Sequence, residues 1–132
     1  MPQHLNPAIS EAESQVMERL WRVAPQGSEE LAAALQPETA WHENTVRTLL
    51  NRLVRKGAVR AEREGRRYLY SPVLTREQWQ THESRSLLDR VFGGKVAPLL
   101  VHFSRNEKLG AKDVAELRKL VDQLEKKERR RG

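Results

Sequence analysis

A chain of 132 residues with a formal net charge of +6, 38% hydrophobic and 32% charged, is long enough for one cored domain or for a compact domain with an appended helical module. It has no cysteine, which excludes disulfides, thiolate catalysis and thiolate metal sites. No apolar run approaches the roughly 18 residues of a membrane span, and no signal pattern opens the chain, so no membrane insertion and a cytoplasmic location are expected.

Ser10, with Glu13 three residues on, has capping-box spacing and predicts a first helix. Ala12, Val16, Met17, Leu20 and Trp21 then recur at helical spacing as its buried face, and Pro25 and Gly27 end it. Ser28 followed by Glu29 and Glu30 signals a second start, since acids in the first turn complement the helix dipole. Leu31, Ala32 and Leu35 make that helix short, and Pro37 is expected to close it. A third helix is predicted over residues 43–56, with His42 a poor cap at its start and Gly57 placed as a left-handed cap at its end. On it Val46, Leu49, Leu50 and Leu53 share one face. Asn44, Arg47, Thr48, Asn51 and Arg55 share the opposite one, flanked by Thr45 and Arg52.

Residues 58–62 and 67–71 alternate on either side of Glu64-Gly65 and read as a hairpin with Arg63, Arg66 and Arg67 about its tip, ended by Pro72. Three short helices and then a two-stranded ribbon is the order of a winged helix-turn-helix. From about Thr75 the pattern is helical again. Trp79, Leu87, Leu88, Val91 and Phe92 line one stretch, Gly93-Gly94 interrupt it, and residues 96–103 form a short apolar segment. Val114, Leu117, Leu120, Val121 and Leu124 stripe a last helix that ends in a basic run. These segments are under-buried alone, so a second copy of the chain is the expected cover, with Leu87, Leu88, Val91, Phe92, Leu99, Leu100, Phe103, Leu117, Leu120, Val121 and Leu124 in the dimer contact. The expected fold class is therefore mainly α with a small β-hairpin: a winged-helix DNA-binding domain over residues 1–73 and a C-terminal helical dimerisation domain over 74–132.

Charge is unevenly placed. Residues 1–41 carry two arginines against six acids, whereas residues 42–71 carry eight Arg and Lys against three Glu. A localised basic patch is the footprint of a polyanion. On the third helix, Arg47 can take guanine O6 and N7 with two hydrogen bonds, and Asn44, Thr45, Thr48 and Asn51 stand close enough to join it at base edges. Arg52, Arg55 and Lys56 further along, and Arg63, Arg66 and Arg67 on the ribbon, suit phosphates. A non-specific architectural or RNA-associated basic protein would explain the patch but not the opposed faces of that helix. A helical adaptor would bind no DNA.

Ser10-x-x-Glu13, Val16-Met17-x-x-Leu20-Trp21, the run Thr45-Val46-Arg47-Thr48-Leu49-Leu50-x-Arg52-Leu53-x-x-Lys56-Gly57 and Tyr68-x-Tyr70 together resemble the penicillinase-repressor (BlaI/MecI/CopY) family. The likeness continues through Leu87-Leu88-Asp89-Arg90-Val91-Phe92-Gly93-Gly94 and Leu99-Leu100-Val101-x-Phe103, so that it covers roughly residues 8–125. The resemblance implies a homodimeric repressor at dyad-symmetric operators, with Thr45, Arg47 and Thr48 in the positions of recognition-helix contacts. It also implies derepression by a membrane-bound sensor metallopeptidase that triggers cleavage before a Phe, here the His102–Phe103 bond. Relatives near the resistance repressors carry Asn before that Phe, where this chain has His102. The copper-responsive branch uses C-terminal cysteines, which this chain lacks.

His4, His42, His82 and His102 are scattered, with no pair at i, i+4, so no zinc site and no cofactor is expected. No nucleophile elbow or phosphate-binding glycine loop is present, and no enzyme is expected. Trp21, Trp41 and Trp79 suit packing better than base stacking.

Overall fold

The structure, a computed structural model, describes residues 5–106 and 108–131; His4 lies outside them. In chain order the elements are α1 (Glu11–Arg22), α2 (Ser28–Thr39), α3 (Glu43–Arg55), β1 (Val59–Glu64), β2 (Arg67–Pro72), α4 (Arg76–Val91), α5 (Val96–Asn106) and α6 (Ala111–Arg131). They fall into two compact units, Met1–Ser86 and Leu87–Gly132. The first unit is a winged helix-turn-helix and the second is helical.

Helix α1 starts on the expected capping box. The Ser10 Oγ accepts from Glu13 N at 3.0 Å, and the Glu13 carboxylate accepts from Ser10 N at 2.7 Å. Its apolar stripe, Val16, Met17 and Leu20, is fully buried.

Helix α2 departs from expectation at Pro37, which lies inside it rather than closing it. The missing Pro37 N–H would have served the carbonyl of Ala33, an exposed residue whose carbonyl can turn to water instead. The helix continues to Thr39, whose hydroxyl donates to the Leu35 carbonyl at 2.8 Å. It ends where Ala40, at φ +56°, turns left-handed and donates its N–H to the Gln36 carbonyl at 3.0 Å. The helix begins at Ser28, as expected, with Gly27 as its N-cap.

Helix α3 is fixed by its apolar face and by its end. Val46, Leu49, Leu50 and Leu53 are buried. Gly57 takes the left-handed position at φ +76°; its N–H bonds the Val54 carbonyl and that of Ala58 bonds Leu53, which together make a Schellman cap. The strands β1 and β2 pair antiparallel from Val59↔Pro72 to Glu64↔Arg67. Gly65, at φ +63°, supplies the positive φ that a two-residue hairpin turn needs at its first central position. The hairpin is held to the helices by Gln26, which exchanges both backbone hydrogen bonds with Tyr70, at 3.1 and 2.8 Å.

One core unites these parts. Side chains from all three helices meet Ala58, Val59, Tyr70 and Leu74. Leu74 is fully buried, and its carbonyl accepts from Trp21 Nε1 at 2.8 Å. Trp79 lies 5.6 Å from Trp21, ring to ring, and Arg76 sits over the Trp21 face and pairs with Glu18 at 2.7 Å. The first compact unit continues to Ser86, past the boundary expected between Val73 and Leu74.

In the second unit the end of α4 is capped by Gly94 N donating to the Leu88 carbonyl at 2.7 Å, with Gly93 and Gly94 both at positive φ. Neither α5 nor α6 has a buried residue. Val91 remains 57% exposed and Leu124 54%, values that leave the apolar stripes open to water.

Candidate nucleic-acid interface

The buried face of α3 dictates what the other face can do. With Val46, Leu49, Leu50 and Leu53 locked into the core, Asn44, Thr45, Arg47, Thr48, Asn51, Arg52 and Arg55 all point to solvent, as the helical period requires. The hydroxyl of Thr48 donates to the Asn44 carbonyl at 3.0 Å, so toward a ligand it acts as an acceptor.

Arg47 is engaged. Its Nη2 pairs with the Glu43 carboxylate one turn earlier, and its Nε donates to Ser28 Oγ at 3.4 Å. Ser28 in turn donates to the same Glu43 oxygen at 3.2 Å. A cleft of about 300 Å³ opens beside this cluster, between the start of α2, the start of α3 and the hairpin, with Arg66, Arg67, Tyr68 and Tyr70 on its far wall. Burial raises the Tyr70 phenol above its ordinary value of 10, and the charge of Arg47 pulls it the other way. Neither Glu43 nor Ser28 was expected at the site. The Glu43–Arg47 spacing of i, i+4 could have signalled the first. Nothing in the sequence pattern brings Ser28 to them.

The six residues expected at phosphates divide into three groups. Among the described residues, Arg52, Arg55 and Arg66 have no ion pair and no side-chain hydrogen bond, and all three are exposed. On the hairpin, Arg63 donates to the Gly65 carbonyl at 3.2 Å, and Arg67 is paired with Glu30. The Gly27 N–H lowers the Glu30 carboxyl below its ordinary value, desolvation opposes this, and Arg67 adds to the lowering.

Lys56 turns inward. Its Nζ donates to the Ala8 carbonyl at 3.0 Å and to Glu13 at 2.6 Å, leaving one N–H for anything outside. Glu13 is 1% exposed. Burial works to raise its carboxyl pKa, but Lys56 and the Ser10 amide outweigh it, and the pKa falls below the ordinary 4.5. The structure thus brings Asn44, Thr45, Arg47, Thr48 and Asn51 together on one face, with Arg66 across the cleft, and draws Lys56 away from it.

Among the described residues no three His, Cys, Asp or Glu side chains gather to hold a metal ion, and no helix is long and apolar enough to cross a membrane. His102 is exposed on α5, its ring 6.2 Å from that of Phe92.

The penicillinase repressor family model matches residues 9–123, a span that covers most of each compact unit. The chain is 30% identical over 117 residues to the penicillinase repressor of Bacillus licheniformis, covering 89% of this chain and 91% of that protein. It is 28% identical over 119 residues to the penicillinase repressor of Staphylococcus aureus, covering 90% of this chain and 94% of that protein. Among solved structures, the solution structure of the DNA-binding domain of the repressor BlaI is similar at a TM-score of 0.52 and 32% identity. It covers 57% of this chain and 92% of that domain.

Proposed function

The chain belongs to the penicillinase repressor family, whose members are DNA-binding transcriptional repressors and not enzymes, and from that premise we propose that it acts as a homodimer on a dyad-symmetric operator. The observation that carries this reading is the division of α3 into a face buried by four aliphatic side chains and a face of exposed hydrogen-bonding groups. A helix so anchored presents its exposed side as a rigid edge, of the width a major groove admits. Arg47 reads a guanine, Asn44, Thr45, Thr48 and Asn51 contact neighbouring base edges, and Arg52, Arg55 and Arg66 hold phosphates. Arg63, Arg67 and Lys56 reach the backbone only through the donors their intramolecular contacts leave free.

The homodimer is supported by the second unit. A helical unit without a buried residue in α5 or α6 has not removed its apolar stripes from water, and a second copy offers matching stripes. Leu87, Leu88, Val91, Phe92, Leu99, Leu100, Phe103, Leu117, Leu120, Val121 and Leu124 form that contact. Residues 87–132 are accordingly the dimerisation module, and derepression follows their cleavage at His102–Phe103, triggered by a membrane-bound sensor metallopeptidase. The bond lies in an eleven-residue helix with no buried side chain, which needs little free energy to open locally. Mass spectrometry of the chain from derepressed cells checks this step: a fragment beginning at Phe103 is expected, and a chain that stays intact refutes it.

Selection of random-sequence duplexes by the purified protein, followed by footprinting, tests the main reading. Two half-sites of inverted sequence, about 10 base pairs apart centre to centre or a multiple of that, are expected. Uniform protection of any duplex sinks it.

A further inference from the structure

Glu43 and Ser28, from two helices, close on a single edge of the Arg47 guanidinium. An arginine head has two forked edges: Nε with Nη2 along its side, and Nη1 with the other hydrogen of Nη2 at its end. The carboxylate and the hydroxyl take the side edge. Among the described residues Nη1 has no partner, so the end fork stays open. Guanine O6 and N7 require one such fork, pointed at them in their own plane.

We propose that Glu43 is a specificity-determining positioning residue, which with Ser28 grips Arg47 by its side edge and offers the end fork to guanine. The proposal deepens the reading of Arg47 as a base contact and rests on it. Three consequences of the geometry support it. First, Arg47 is an exposed, long side chain at 56% relative exposure, and left alone it would spend its freedom among many rotamers. Held at two points, it gives up that freedom before DNA arrives. Second, the carboxylate cancels the local charge that would draw the arginine to any phosphate, while the directional donors of the end fork remain. Third, a carboxylate at the start of the helix meets the acceptors of a wrong base pair with repulsion, which penalises mismatches instead of strengthening the match.

A different role for Glu43 is simply an acid in the first turn of α3, complementing the helix dipole. That role changes stability and leaves base preference alone.

The experiment uses the full chain. Selection with the unaltered protein gives the preferred duplex. Glu43→Gln, Ser28→Ala, Arg47→Ala and the double variant Glu43→Gln/Arg47→Ala are then titrated with that duplex, with each of its single-base substitutions and with a mixed-sequence duplex. Arg47→Ala flattens the preference at one guanine per half-site. Glu43→Gln lowers the preference at that same guanine by about fivefold or more, at the lower end of what a bidentate contact discriminates. It also binds the mixed-sequence duplex more tightly, and adding it to Arg47→Ala flattens nothing further. Ser28→Ala, which deletes only the hydroxyl, moves the same position in the same direction. If Glu43→Gln and Ser28→Ala keep the full preference at the Arg47 position, or weaken every position by one factor, the proposal is overturned and Arg47 remains a reader. If Arg47→Ala flattens no position, the reading of Arg47 is overturned and the proposal goes with it.

Discussion

Replacing Lys56 with methionine is expected to cost more stability than replacing its partner Glu13 with glutamine, although both break the same ion pair. Methionine keeps the length of the lysine stem but leaves the Glu13 carboxylate at 1% exposure. The carboxylate's Oε2 already lacks a hydrogen-bond partner, so the Ser10 amide, which donates to Oε1, would be the only donor left to the group. Stripping one member from a buried pair costs about 3–5 kcal/mol, mostly because the other charge is stranded. In Glu13→Gln the stranded group is the Lys56 ammonium, which keeps 28% exposure and can turn to water. The amide oxygen can still accept from Ser10, so the loss is that of a charge-assisted hydrogen bond, about 1.5–3 kcal/mol.

The pH dependence has a definite sign. In the unaltered protein the Glu13 carboxyl is held below 4.5, so its contribution is complete above that value and drains away as pH falls through the lowered, folded pKa. In Lys56→Met, burial without the ammonium pushes the carboxyl up, and acid relieves the strain by protonating it. The gap between Lys56→Met and the unaltered protein therefore narrows from pH 7 toward pH 5. Tryptophan fluorescence during thermal unfolding is the assay, because Trp21, Trp41 and Trp79 all lie in the first unit and report on it alone. A loss of about 4 kcal/mol lowers the midpoint by roughly 15–30 °C in a domain of this size. Equal losses below about 1 kcal/mol in both variants, as for a surface pair, would refute the reasoning. So would a gap that widens in acid.

Arg66→Ala should weaken binding to the preferred duplex and to mixed-sequence duplex by the same factor, and reduce the slope of log affinity against log salt by about 0.9; a loss confined to the preferred duplex would contradict a phosphate role. A chain ended after Ser86 retains every buried core residue and should fold, but bind the full operator about 10²–10⁴-fold more weakly than the intact protein, having lost the link between half-sites. Gel filtration should show it monomeric, and operator affinity equal to that of the full chain would defeat the dimer argument.

Much of the interface could be read from local spacing. The period of α3 separates its faces without knowledge of any other element, and the Ser10–Glu13 box and Gly57 mark helix ends through hydrogen bonds made within a few residues. What was hidden depends on contacts far apart in the chain. Pro37 signals a stop by its own chemistry, yet α2 runs past it to Thr39, because only an exposed carbonyl goes without its bond. Leu74 and Trp79 look like the start of the helical region until the core shows Trp21 covering one and meeting the other. Lys56 looks like one more cation in a basic run, and only the fold reveals an acid 43 positions earlier beneath it. Glu43 was visible as a first-turn acid, but its second contact, Ser28, belongs to another helix.

The left-handed Ala40 bears on how this corner can vary. An L-residue at φ +56° sits about 1–2 kcal/mol above its right-handed alternative, and the methyl of Ala40 is exposed, with no burial to compensate. The bend from α2 into α3 is thus imposed from both sides, by α2 closing on Gln36 and by α3 seating its aliphatic face in the core. Its angle belongs to the backbone and owes little to the residue that occupies it. Glycine at this position, which adopts positive φ without a Cβ penalty, would relax the corner without re-aiming α3.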